Sequence, residues 1–250
     1  MEQPLRFAES GRGPVVLWVH GFPLTSDVFE PQMSIGGFRH IAPDLPGFGQ
    51  TPATSDALTM ADYSRKIVQL MDQLSIDRCA VAGLSMGGYI AMQMLRDVPA
   101  RISALLLLDT RETADSDEAK AGREKQAAEA KARGIESIIE SMLPKMVRDV
   151  SYAPAVREIM SRSSTDGVVA ALHAMARRPD SADTLRAVSV PTFIAVGEHD
   201  AITPLSDARR MQSLVEGSEL AVIPNAAHLA NFERSGDFNR SVTAFLRKAG

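Results

Sequence analysis

Six short apolar runs rich in Val, Ile and Leu recur along the chain between segments of helical periodicity, and this alternation restricts the fold more than any other feature. The runs are Val15 to Val19, His40 to Ala42, Cys79 to Ala82, Ile102 to Leu108, Thr192 to Val196 and Leu220 to Ile223. They are too continuous for half-exposed strands, which alternate apolar and polar residues. The pattern fits an α/β class with a mostly parallel sheet covered by helices on both faces. At 250 residues, with 45% hydrophobic and 23% charged, the chain is long enough for one large core and has an ordinary globular composition. Disordered, collagen-like and coiled-coil classes therefore find no support.

The intervening helices carry local signals. Thr59 caps a helix with Asp62 three positions on, and Tyr63, Ile67, Leu70, Met71 and Leu74 share the face that meets the sheet. A second helix starts directly after Ser85 and runs to about Arg96, before Pro99 stops it. Residues 111–187 then pass with helical patterns and no convincing strand. This predicts a core domain of residues 1–110 and 188–250, with a helical cap over 111–187 inserted after the strand ending near Leu108. Three or four helices are expected in the cap. Its first, about Ser116 to Arg133, is almost all Ala, Glu, Lys and Arg and reads as solvated on most faces. The second carries a stripe of Ile135, Ile138, Ile139, Met142 and Leu143 that Pro144 must end or kink. Further pieces lie around Pro154 to Met160 and from Asp166 to about Ala176. Met142 and Leu143 are candidate pocket residues, because the charged helix before them cannot bury the stripe. Its partners are then other cap helices and the edge of the sheet.

Several function classes are excluded. With 27 basic against 31 acidic residues the net charge is -4, so nothing recruits a phosphate backbone and no nucleic-acid partner is expected. No apolar run approaches the roughly 20 residues that cross a bilayer, so no membrane partner is expected either. The start, Met1-Glu2-Gln3-Pro4, is acidic and polar where a secretory leader has a basic flank and an apolar stretch, and the expectation is a cytoplasmic protein. The lone Cys79, in an apolar run, reads as a small buried hydrophobe and provides neither a disulfide nor a zinc cluster. Nothing in the sequence assigns an oligomeric state.

Gly83-Leu84-Ser85-Met86-Gly87-Gly88 lies where an apolar strand meets a helix, the context in which G-x-S-x-G is informative. A turn this sharp strains its central residue and leaves no room for side chains at Gly83 and Gly87. It exposes Ser85 at the carboxyl edge of the sheet, in front of a helix N-terminus that favours developing negative charge. A serine hydroxyl needs a base. Of five histidines, His228 follows the last strand and is placed to reach Ser85, whereas His20, His40, His173 and His199 read as structural or incidental. Asp200, after the run Thr192 to Val196, is the preferred acid to orient His228, and Asp109, at the end of Ile102 to Leu108, competes with it. The backbone N–H groups of Met86 and of Phe22, in the loop His20-Gly21-Phe22-Pro23, are candidate oxyanion donors. Pro23 has no N–H.

With these residues in view the chain resembles the α/β-hydrolase fold, and within it the compact capped serine hydrolases that include carboxylesterases and 3-oxoadipate enol-lactonases. The resemblance runs from about Val15 to Leu108 and from Pro191 to the end. It rests on His20-Gly21-Phe22-Pro23, Asp44-Leu45-Pro46-Gly47-Phe48-Gly49, the Ser85 motif, Gly197-Glu198-His199-Asp200 and His228. Ala227 stands where relatives often have Gly, and Ser235 where they often have Pro; neither change removes a catalytic atom. The resemblance implies that Asp44 supports the oxyanion loop, and Ser85 in place of Asp argues against dehalogenases and epoxide hydrolases. Arg111, beneath the cap, is a candidate pocket residue for an acidic substrate, but pairing with Asp115 or Asp109 is the favoured expectation.

The function read from the sequence is a serine hydrolase acting on small to medium carboxylic esters or lactones through an acyl-enzyme, with neither metal nor organic cofactor and a small-molecule substrate as its partner. Two alternatives stand beside it. The same triad serves enol-lactone hydrolysis, carbon–carbon cleavage, hydroxynitrile lysis or perhydrolysis in related proteins, and a non-catalytic ligand-sensing protein would keep the pocket without turnover.

Overall fold

The computed structural model describes residues 4–54 and 58–249. The N-terminal residues Met1 to Gln3, on which the expectation about a secretory leader rests, lie outside these. Seven strands form one sheet: β1 (Phe7–Gly11), β2 (Val15–Val19), β3 (Arg39–Pro43), β4 (Cys79–Leu84), β5 (Ile102–Leu108), β6 (Thr192–Gly197) and β7 (Glu219–Ile223). Their spatial order is β1-β3-β2-β4-β5-β6-β7, with every pairing parallel except that of β1 with β3. This is the α/β-hydrolase architecture, and the six apolar runs all become strands.

The run of buried residues along β4 and β6 follows from cover on both faces. Leu17, Val19, Val81, Leu105, Leu107, Ile194 and Val196 point to one side, where they meet Tyr63, Ile67 and Leu70 of α1 (Met60–Gln73) and Ile90 of α2 (Met86–Asp97). Val16, Trp18, Ala82, Leu106, Leu108 and Phe193 point to the other, against Val28 and Phe29 of the 3-10 turn Ser26–Gln32 and the C-terminal helix. Thr59 and Asp62 close a reciprocal capping box on α1, as their spacing predicts.

The edges depart from the sequence reading. β7 is partly exposed, with only Ile223 buried, because it pairs on one side alone. β1 is an unforeseen antiparallel edge strand; its residues are exposed or half-buried and form no apolar run.

Between β5 and β6 the described residues form five α-helices rather than three or four: α3 (Asp117–Arg133), α4 (Glu136–Met146), α5 (Ala153–Ser161), α6 (Thr165–Ala176) and α7 (Ala182–Arg186). α3 buries only Ala127 and Ala130, in keeping with its charged composition. α4 passes Pro144 and ends at Met146. The proline stands in the last turn, where a missing N–H interrupts little of the helix. The remaining helices are α8 (Leu205–Leu214), α9 (Ala230–Glu233) and α10 (Ser235–Ala249), of which α10 contributes Phe238, Val242, Phe245 and Leu246 to the second core layer. Among the described residues no helix is long and apolar enough to cross a membrane.

Candidate active site

Ser85 is the corner between β4 and α2, with φ +52° and ψ -112°, a conformation that side chains normally avoid. Hydrogen bonds hold it there, the longest from Tyr89 N–H to its carbonyl at 3.4 Å. Its N–H donates to the Leu108 carbonyl at 2.8 Å, and its carbonyl accepts from Gly88 N–H at 2.9 Å and from Thr110 Oγ1 at 2.7 Å. A Cβ on Gly83 would lie 2.3 Å from the Gly87 carbonyl oxygen, and one on Gly87 would lie 2.0 Å from that of Val19, so both positions require glycine.

The loop after β7 brings His228 to Ser85. Nε2 of His228 lies 2.9 Å from Ser85 Oγ, and Nδ1 lies 2.8 Å from Asp200 Oδ2, with all three residues buried. The nitrogen facing a carboxylate carries the hydrogen, which leaves Nε2 as the acceptor for the serine hydroxyl. Asp200 also accepts from Ile202 N–H at 2.8 Å, Thr203 N–H at 3.0 Å and Thr203 Oγ1 at 2.6 Å. Burial works against the charged carboxylate, but the charge of His228 and the hydrogen bonds from His228 and Thr203 outweigh it and hold Asp200 below its ordinary range.

Asp109, the competing acid, takes a different place. It is fully buried, has φ +42° and accepts the Gly197 N–H at 2.7 Å. Burial first, then the neighbouring charge of Asp200, raises it well above the usual carboxylate range. The carboxylate on His228 Nδ1 is that of Asp200.

On the other side of Ser85 the loop of Gly21 and Phe22 passes too close for a side chain at Gly21. A Cβ on Gly21 would lie 3.0 Å from Ser85 Cβ. His20 fixes this loop by donating from Nδ1 to the Gly21 carbonyl at 2.9 Å and accepting the Leu45 N–H on Nε2 at 3.0 Å. Burial lowers its affinity for a second proton, against the Gly21 carbonyl and the charges of Asp44 and Asp27. Asp44 accepts the N–H groups of Ser26 and Gln50, each at 2.9 Å, and so ties the Phe22 side of the site to the loop after β3. Met86 opens α2, so its N–H belongs to the first turn, whose amides have no partner within the helix.

The other histidines are engaged elsewhere. His40 accepts from Trp18 Nε1 and bonds the Ile35 carbonyl, His173 faces Glu124, and His199 faces Glu198. Cys79 is buried and its thiol is pushed up to about 12, which makes it inert. Among the described residues no three His, Cys, Asp or Glu side chains gather where they could hold a metal ion.

Met142 and Leu143 are half-buried on α4 and pack against the core layer that contains Ile139, Met146 and Leu229. Arg111 departs from the expected pairing. It pairs with neither Asp115 nor Asp109; its Nε faces Asp207 of α8 at 3.3 Å and its terminal nitrogen donates to the Ile202 carbonyl. Asp115 is instead held by Arg123 and Arg178. Thr110 on the Ser85 carbonyl and Thr203 on Asp200 are contacts that the sequence does not announce, the one because it joins segments distant in the chain and the other because it rests on a single neighbouring carboxylate.

Such a line of groups can pass a proton from a hydroxyl to an imidazole and stabilise the resulting charge. The profile of the Alpha/beta hydrolase family matches residues 16–240. In three dimensions the chain is similar to a thermophilic esterase from Thermogutta terrifontis, with a TM-score of 0.94 and 34% identity over 98% of this chain and 93% of that one. In sequence it is 28% identical to a 2-hydroxy-6-oxononadienedioate/2-hydroxy-6-oxononatrienedioate hydrolase from Klebsiella pneumoniae, over 85% of this chain and 78% of the relative. It is 22% identical to 3-oxoadipate enol-lactonase 1 from Acinetobacter baylyi, over 94% and 89% of the two chains.

Proposed function

Because this chain belongs to the alpha/beta hydrolase family, we propose that it is a serine hydrolase cleaving small to medium carboxylic esters or lactones through an acyl-enzyme. The observation that carries the reading is the continuous line from Ser85 Oγ to His228 Nε2 at 2.9 Å and from His228 Nδ1 to Asp200 Oδ2 at 2.8 Å. In this scheme Ser85 Oγ attacks the substrate carbonyl while its proton passes to His228 Nε2, and Asp200 steadies the imidazolium. The oxyanion accepts hydrogen bonds from the backbone N–H groups of Phe22 and Met86. His228 then returns its proton to the leaving oxygen. Water, deprotonated by His228, attacks the acyl carbonyl, and the carboxylic acid departs as Ser85 regains its proton. No metal or organic cofactor takes part.

The similarity to an esterase of 34% identity over nearly the whole length supports an ester before other acyl groups. Residues 1–110 and 188–250 are then the catalytic core and 111–187 the cap that shapes the acyl pocket, with Met142 and Leu143 among its walls. Arg111, already engaged by Asp207 and the Ile202 carbonyl, serves to brace the Asp200 loop rather than to bind substrate.

The test is turnover by the purified chain on a panel of nitrophenyl esters, lactones, thioesters and a vinylogous carbon–carbon substrate, beside Ser85→Ala. Ester or lactone turnover that falls at least about a thousandfold in the variant is expected. Turnover unchanged in Ser85→Ala would overturn the mechanism, and binding without turnover would point to a ligand sensor.

A further inference from the structure

The backbone on both sides of His228 is tied to the helices between β5 and β6. Leu229, directly after His228, donates its N–H to the carbonyl of Met146, the last residue of α4, at 2.9 Å. Ala227, directly before it, donates its N–H to Oε2 of Glu233 at 2.9 Å, and the other oxygen of that carboxylate accepts the N–H of Asp149, just beyond α4. Glu233 is almost fully buried, with 2% of its surface exposed, and its two oxygens join two backbone segments that are otherwise distant in the chain. Burying a carboxylate costs heavily unless its oxygens are hydrogen-bonded, and N–H groups that bond a charge do so more strongly than they bond a neutral acceptor, so this pair of bonds couples the two segments.

The opposite end of the same stretch reaches the Phe22 side of Ser85. Ser163 Oγ donates to the Pro23 carbonyl at 3.1 Å, Ser164 N–H to the Gly47 carbonyl at 2.8 Å, and Gly49 N–H to the Arg162 carbonyl at 3.1 Å. Residues 146–164 thus run as a strap from the loop that carries the base to the loop that carries the oxyanion donor. At the base end a backbone bond, Leu229 N–H to the Met146 carbonyl, is joined by one side chain, Glu233.

We propose that Glu233 is a positioning residue for His228, clamping the His228 loop to residues 146–149 so that the base and the end of α4 move as one body. This inference rests on the serine-hydrolase reading above. Glutamine in this place keeps the shape but offers one acceptor oxygen and turns an NH2 group toward the other N–H donor. One clamp bond is lost, and His228 shifts relative to Ser85 Oγ. An error of about 1 Å in such a geometry is enough to slow the chemical step roughly a hundredfold without changing how substrate binds.

The experiment compares wild type, Glu233→Gln and Asp149→Pro. The proline removes the second N–H donor at a position whose φ of -82° it can adopt, together with the Asp149 carboxylate that accepts the Ser151 N–H at 2.9 Å, and it keeps the test alive if the glutamine variant does not fold. Steady-state hydrolysis of a short nitrophenyl ester, the rate of fluorophosphonate attachment to Ser85, and the low-field proton resonance of His228 Nδ1–H are recorded below the melting point of each protein. The expected result is a kcat at least about tenfold lower with KM within about threefold, a parallel fall in the fluorophosphonate rate, and a shifted or broadened Nδ1–H resonance. Lower thermal stability with kcat, labelling rate and resonance all unchanged would overturn the clamp and leave Glu233 a structural residue. If wild type itself shows no Ser85-dependent turnover, the functional reading fails instead, and the Nδ1–H resonance alone then decides whether Glu233 sets the position of His228.

Discussion

Asp109 and Asp200 follow neighbouring parallel strands, β5 and β6, yet their surroundings give them opposite proton affinities. Asp200 has two hydroxyl or imidazole donors and two backbone N–H groups; Asp109 has burial, one strong N–H and the charge of Asp200 beside it. Asp200→Asn places an amide opposite His228 Nδ1 and favours the wrong tautomer, so kcat on a nitrophenyl ester should fall by about ten thousandfold while the fold persists. Asp109→Asn should act on stability instead, and its sign follows from linkage. The folded chain holds the Asp109 proton more tightly than the unfolded chain, so the contribution of this group is full at low pH and is lost as pH rises toward the raised folded value. Asparagine does not ionise and escapes that loss. The melting temperature of Asp109→Asn relative to wild type should therefore climb as pH rises above the ordinary carboxyl range toward the raised folded value, by about 3 °C per pH unit within the titrating window. A difference that falls with rising pH would mean that Asp109 is ionised in the fold. Asp200 has the reverse sign, its contribution being present above the ordinary carboxyl range and lost as pH falls through its lowered value.

At the scale of elements, the Ser85 corner and α4 differ in how openly the chain announces them. The corner is legible because its chemistry is local: a glycine two residues before the serine and one two residues after, between an apolar strand and a helix. Chain order along parallel strands points to His228 and Asp200, whose side chains meet at 2.8 Å. What could not be read were Thr110 on the Ser85 carbonyl and Glu233 between Ala227 and Asp149, since hydrogen bonds across 25 or 84 positions of chain leave no periodic trace. α4 lies between these cases. Its stripe was visible, and Ile138 and Ile139 are indeed buried, while Met142 and Leu143 remain half-buried. If those two side chains wall the acyl pocket, Met142→Ala or Leu143→Ala should change the ratio of butyrate to octanoate turnover by roughly tenfold and alter the acetyl-ester rate little. A constant ratio with a lower melting temperature, measured across both variants, would assign them to packing alone.

The whole molecule is a central parallel sheet that turns hydrophobic continuity into topology. Strands buried on both faces must be apolar along their length, so β2 to β6 stand out in the sequence; β7 carries an apolar run as well although it is half-exposed, and the exposed edge β1 has none. The same architecture delivers Ser85, Asp200 and His228 from the carboxyl ends of β4, β6 and β7 to one point, with the loop after β2 passing beside the serine. It also sets the contribution of each layer: truncating a fully buried side chain in the sheet, such as Leu106→Ala, should destabilise the chain by about 2–5 kcal/mol and leave kcat of the folded fraction unchanged, as urea unfolding beside steady-state rates would record. The central claim is that one serine among those in the chain is made nucleophilic by this convergence. It is tested most directly by treating the purified protein with a fluorophosphonate and locating the adduct by mass mapping. The account predicts one adduct per chain, on Ser85, formed in step with loss of esterase activity and absent from His228→Ala; an adduct on another serine, or full activity with Ser85 modified, would contradict it.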